Sequence, residues 1–169
     1  MENNYKAAKR ILFLVLIGWM LILTKFILFK ESVNYYKHYF SAQSFRDHAT
    51  KEALKYANTV PFNTITETFT SHNKSMAYKV LNLGGNILGF IPLGLVFPIL
   101  FMALRSFVKT IIAVLFVSLI FELIQRYTGL GIFDVDDLIL NLTGGIAGYI
   151  LYQVIRPVLK SQSKIGKFE

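Results

Sequence analysis

Two stretches hold most of the residues that can do chemistry in this oily chain. Glu122 and Gln125 sit in Phe121-Glu122-Leu123-Ile124-Gln125. Asp134, Asp136, Asp137 and Asn141 follow in Asp134-Val135-Asp136-Asp137-Leu138-Ile139-Leu140-Asn141. Asn86 adds an amide inside an earlier apolar run. Clustered carboxylates can recognise cationic or hydroxyl groups, hold a divalent cation through oxygen, or act as general acid and base. Amides supply hydrogen bonds of both signs. Ionised groups beside hydrocarbon are costly, so these ask for a reason: a binding site, or a polar clamp between helices.

Each residue also has a plainer reading. Arg126 lies four positions after Glu122, the spacing of a neutralising pair on one helix; the alternative is a Glu122 facing the bundle interior. Asp134 suits a helix N-cap, Asp137 its capping-box partner, and negative charge there complements the helix dipole. Three aspartates between positions 134 and 137 exceed what one cap requires. Asp137 and Asn141 share a helix face by their spacing.

The elements that position these groups follow from composition. Of the 169 residues 54% are hydrophobic and 17% charged, and the mean hydropathy is +0.48, which points to a membrane protein. Absence of cysteine removes disulfides and thiolate ligands, and three histidines leave little for zinc, so no metal or other cofactor is expected. A net charge of +8 could suit nucleic acid. Here the basic residues flank apolar blocks, which fits anionic lipid and an inside-positive topology, with no nucleic-acid partner.

Four transmembrane helices are expected. Residues 1–10 form a tail, and Ile11 to Phe29 is a first span of 19 residues, about 28 Å long. That run is too long for a signal-peptide core and lacks a small-residue cleavage site, so it reads as an uncleaved anchor. Lys25 snorkels from its end. Residues 80–155 form a three-helix core, with spans at Leu81 to Leu104, Phe107 to Gln125 and Leu138 to Ile155. The third span is rich in Ile, Val and Phe, but its length without turn residues favours a helix.

Lys6, Lys9, Arg10, Arg105, Lys109, Arg156, Lys160, Lys164 and Lys167 all fall on one side of such a bundle. That side is the cytoplasm, which places both termini inside and the Asp-rich turn outside. The tail 156–169 is then cytoplasmic. Seven basic residues from Lys30 to Lys79 face outward, a partial exception that long loops tolerate.

The outer segment 30–79 is too long for a simple connection. Tyr35, Tyr36, Tyr39 and Phe40 follow the first span where an aromatic belt would lie. Ser41 to Asn58 carries a stripe of Ala42, Phe45, Ala49, Ala53 and Ala57, which reads either as an amphipathic helix lying on the outer leaflet or as a soluble surface helix. Pro61 ends it, and Asn58 to Ile65 reads as an extended turn. In the second span, Asn82 and Asn86 share a face and Gly85 and Gly89 form a small-xxx-small pair. Pro92 and Pro98 should kink that helix beside either a cavity or an ordinary helix contact. Gly144 and Gly148 repeat the close-packing pair in the fourth span. No repeat, low-complexity tract, P-loop, nucleotide fingerprint, serine nucleophile elbow or HExxH pattern occurs.

Three blocks resemble the VanZ family, small membrane proteins linked to teicoplanin resistance. They are Asn58-Thr-Val-Pro61-Phe62-Asn-Thr-Ile65, then Asn86-Ile-Leu-Gly-Phe90-Ile-Pro92-Leu-Gly94, then Glu122-x-x-Gln125 with Phe133-Asp134-Val-Asp136-Asp137-Leu-Ile-Leu-Asn141-x-x-Gly144. The resemblance covers roughly Asn58 to Tyr152. Members often carry a basic residue in the turn before the aspartates, where this chain has Leu130. The resemblance implies a bacterial cell-membrane protein of the envelope that lowers susceptibility to glycopeptides, especially lipid-tailed ones, with no catalytic mechanism to transfer.

Non-enzymatic binding of an amphiphile at the outer leaflet is therefore the leading expectation. Its partner is membrane lipid or a lipid-tailed glycopeptide, bound by Asn86, Glu122, Gln125, Asp134, Asp136, Asp137 and Asn141. The alternative is an intramembrane enzyme acting on a lipid-linked envelope substrate through the carboxylate cluster, although no nucleophile accompanies it. A channel or transporter is a third reading, and four spans supply a pathway only within a homo-oligomer.

Overall fold

The structure, a computed structural model, describes residues 2–71 and 75–165. Lys74 and Lys167 of the basic segments lie outside the described residues, as do the side chains of Asn82, Lys160 and Lys164. Among the described residues the architecture is all-α, apart from a lone parallel bridge between Asn58 and Asp134. The helices are α1 (Glu2–Leu28), α2 (Val33–Ser41), α3 (Gln43–Lys55), α4 (Asn63–Thr70), α5 (Met76–Leu100), α6 (Phe107–Thr128) and α7 (Val135–Ile165). Four of them, α1, α5, α6 and α7, are long and apolar enough to cross a membrane.

Boundaries depart from the sequence expectation where the backbone finds other partners. α5 ends at Leu100 rather than Leu104, because Phe101 is extended and Met102–Leu104 forms a separate 3-10 turn. The Thr110 hydroxyl donates to Leu104 O at 2.5 Å and Tyr149 OH to Arg105 O at 3.0 Å, so the turn's carbonyls are satisfied by side chains. α5 remains helical through both Pro92 and Pro98. α6 stops at Gly129, whose φ of 71° is the left-handed C-terminal conformation glycine adopts at little cost.

Phe90, Leu93 and Val114 are fully buried at the centre of the bundle, with Leu23 of α1 packed into the same core. The tightest seam joins α5 to α7. A Cβ on Gly148 would lie 2.0 Å from Ile91 O, one on Gly144 2.1 Å from Ile87 O, and one on Gly94 2.0 Å from Gly145 O. Backbones approach this closely only where side chains are absent. The Gly144 and Gly148 pair therefore does what its spacing implied. Gly85 and Gly89 do not: a Cβ on Gly85 would meet nothing within 4 Å, and one on Gly89 would meet only the Leu23 side chain.

The outer segment folds back over the end of α6. Tyr39 OH donates to Thr128 O at 2.6 Å, the Thr50 hydroxyl to the same oxygen at 3.3 Å, and Tyr35 OH to Gly129 O at 3.4 Å. These bonds satisfy carbonyls that a helix terminus leaves without partners. Tyr35 and Tyr39 thus hold protein, whereas Phe40 is exposed. α3 presses its stripe inward: Ala53 is buried, and Ala49 and Thr50 backbone atoms leave no room for a side chain at Gly129. Protein, not a lipid surface, receives that stripe.

Replacing Gly148 with Ala should overpack the α5–α7 seam and cost roughly 1–3 kcal/mol. Gly85→Ala should leave the thermal midpoint of the detergent-purified protein unchanged or slightly raised. Equal midpoints for the two variants would contradict the seam.

Candidate functional site

The four acidic side chains near the α6–α7 turn share no partner. Glu122 is buried on α6, and its Oε2 accepts the Asp134 backbone N–H at 2.8 Å. Asp134 caps α7 through Oδ1, which accepts Asp136 N–H at 2.8 Å and Asn58 Nδ2 at 2.8 Å. In a capping box Asp137 would take the N-cap N–H; here Glu122 supplies that acceptor from the neighbouring helix. Among the described residues no ion pair joins Glu122 to Arg126. The Arg126 guanidinium lies instead over the Phe133 ring, 5.7 Å from its centroid.

Asp136 is completely buried and reaches across to α4. Its Oδ1 accepts Phe62 N–H at 2.5 Å and its Oδ2 accepts Ile65 N–H at 3.0 Å. Phe62 is the N-cap residue of α4, has no side chain able to cap, and sits at φ 67°. A left-handed conformation is costly for a bulky residue, by about 1–2 kcal/mol, and persists only where surroundings impose it. Asp136 is the group that imposes it. Asn58 completes the latch: its N–H donates to Phe133 O at 2.8 Å, its carbonyl accepts Val135 N–H at 3.0 Å, and its Nδ2 also reaches Thr64 Oγ1 at 3.1 Å.

Asn141 is buried further along α7, where its Nδ2 donates to Ser118 Oγ at 2.8 Å and its Oδ1 has no partner. Asp137 and Asn141 therefore serve different neighbours despite their shared spacing: Asn141 faces α6, whereas Asp137 accepts a short hydrogen bond from Asn86 Nδ2 on α5. Gln125 is buried too, with Nε2 donating to Ile27 O of α1 at 3.1 Å and Oε1 unpartnered.

Asn86, Gln125 and Asp137 meet at a cavity of about 370 Å³. α1 contributes Trp19, Ile22, Leu23, Phe26 and Ile27, Lys30 follows just beyond its end, and α5 contributes Leu81, Gly85, Leu88, Gly89 and Phe90 beside Asn86. Phe26, Leu81 and Leu88 are 70%, 74% and 65% exposed, so the cavity opens sideways between α1 and α5. Its polar groups gather at one end, because α1 and α6 finish there while α5 and α7 begin there. At the other end Trp19 Nε1 donates to Gly89 O at 2.8 Å, leaving the indole as apolar wall.

The seven expected site residues thus divide. Asn86, Gln125 and Asp137 line the cavity. Glu122, Asp134 and Asp136 hold backbone N–H groups, and Asn141 ties α7 to α6. Among the described residues no three His, Asp or Glu side chains are grouped so as to hold a metal ion. Sequence reasoning passed over Lys30, Trp19 and Ser118. Ser118 was findable, since it lies one turn before Glu122 on the same face. Lys30 carried only the signal of the first cation beyond span one.

Asp136→Ala should leave the Phe62 and Ile65 N–H groups without their acceptor, costing about 0.5–1.5 kcal/mol for each. Hydrogen exchange at Phe62 and Ile65 should accelerate while α6 amides stay protected. Glu122→Gln keeps an acceptor for Asp134 N–H, so it should destabilise far less than Glu122→Ala in thermal unfolding.

A family model described as VanZ/LLP1 matches residues 12–156. No curated protein matches the chain, and no solved structure does. The matched region reaches back over α1, α2 and α3, which the three motif blocks left out.

Proposed function

The chain belongs to the VanZ/LLP1 family, and from that premise we propose that it is a bacterial envelope protein binding an amphiphile from the outer leaflet. Binding, without chemical turnover, lowers susceptibility to glycopeptides such as teicoplanin. The observation that carries this reading is the lateral cavity with its apolar walls and single polar end. Ligand sites commonly combine apolar walls with a few placed polar groups. A volume of about 370 Å³ suits an acyl chain and its first polar group, leaving the rest of a large ligand outside.

Hydrogen bonding favours binding over catalysis. Glu122, Asp134 and Asp136 already accept backbone N–H groups, which commits them to the fold. The polar end belongs on the extracytoplasmic side, because Lys6, Lys9, Arg10, Arg105, Lys109 and Arg156 lie toward the opposite end of the bundle.

Orientation is testable because the chain has no cysteine. Ile132 in the Asp-rich turn is 47% exposed, and Ile132→Cys should react with a membrane-impermeant maleimide on intact cells. Reaction only after lysis would place the turn inside and overturn the topology. In a sensitive host, expression should raise the inhibitory concentration of teicoplanin several-fold. Gly85→Leu, which grows a side chain into the open cavity, should return it to the vector level. No change at confirmed expression would sink the resistance role.

A further inference from the structure

The cavity's hydrogen-bond inventory is lopsided. Each lining amide already gives an N–H to protein, Asn86 Nδ2 to Asp137 Oδ1 and Gln125 Nε2 to Ile27 O. The donation to Ile27 O also fixes which end of the Gln125 amide is oxygen. Acceptors remain. Asp137 Oδ2 and Asn86 Oδ1 take part in no hydrogen bond among the described residues, and Gln125 Oε1, shut away behind the lining, has no partner there either. Acceptors facing the cavity without a protein donor favour a ligand that donates. Among the described residues Asp137 is the acid in the lining and Lys30 the base, with Lys30 exposed at the mouth beyond α1.

We infer that the cavity selects amphiphiles carrying a primary ammonium next to a phosphate, the head-group chemistry of an aminophospholipid. This rests on the amphiphile-binding reading and names the ligand class for the same cavity. The ammonium has N–H donors for both Asp137 Oδ2 and Asn86 Oδ1, and its charge answers the Asp137 carboxylate. The phosphate stays at the mouth with Lys30, and the acyl chain runs along Phe26, Leu88 and Trp19. A quaternary ammonium brings the charge but no N–H, so Asp137 Oδ2 and Asn86 Oδ1 gain no donor. A glycerol head brings hydroxyl donors but no cation for Asp137.

Trp19 is the sole tryptophan and lines the cavity, so its emission reports occupancy directly. The full chain, purified in a maltoside detergent, is titrated with short-chain phosphatidylethanolamine, phosphatidylcholine and phosphatidylglycerol, and with tail-less phosphoethanolamine. Phosphatidylethanolamine should give a saturable shift with affinity about tenfold tighter than the other two lipids. Phosphoethanolamine should bind far more weakly, which separates the lipid from its free head group. Asp137→Asn, which retains a side-chain oxygen for Asn86, should bring the ratio of phosphatidylethanolamine to phosphatidylcholine affinity close to one.

Equal affinity for phosphatidylethanolamine and phosphatidylcholine in the unaltered protein would overturn ammonium selection, even if Asp137→Asn does not fold. It would leave the amphiphile cavity standing. No saturable response to any lipid would overturn both. Lipid selectivity without an effect on teicoplanin would remove only the resistance role.

Discussion

A backbone N–H at the start of α7 has no helical acceptor, and the apolar interior around it supplies no water. Glu122 answers it from α6. This bond closes the turn from Gly129 to Phe133, sets α7 antiparallel to α6, and frees Asp137 from the capping role its position suggests. The other acids follow from it. With its N–H held, Asp134 can cap Asp136 N–H and hold Asn58, and Asp136 can reach the start of α4. An acidic cluster that reads as a ligand site is for the most part the fastening between the three-helix core and the outer segment.

Glycine distribution decides where the bundle is closed and where it is open. Gly94, Gly144 and Gly148 let α5 and α7 meet backbone to backbone, so that seam has no room. Gly85 and Gly89 face the other way, toward α1, which meets α5 through side chains such as Leu23 and Trp19. The same residue type removes space on one face of α5 and leaves it on another. Because the open face lies between exposed apolar side chains, the space faces sideways.

Much of this was legible beforehand. Long apolar runs marked the four spans because hydrocarbon tolerates only internally bonded backbone, and helix is the local solution. Gly144 and Gly148 declared a close seam by spacing alone. The motif Asn58 to Ile65 was visible as a block, yet its purpose was not: its partners, Phe133 to Asp136, are more than seventy positions away. The Tyr35 and Tyr39 hydroxyls looked like an interfacial belt for the same reason. Glu122 and Arg126 had ideal spacing for a pair, but an interior N–H without an acceptor outweighed a salt bridge that water could replace.

Sequence by itself determined that the chain is helical, apolar in four stretches, and rich in acid and amide groups at one end of the bundle. Those properties depend on local composition and on periods of a few residues. Which acids serve backbone and which face the cavity was decided only in three dimensions. A carboxylate has no preference among N–H donors until folding brings one within about 3 Å in an environment without water. Tertiary packing made that assignment, and left Asn86, Gln125 and Asp137 with oxygens unspent.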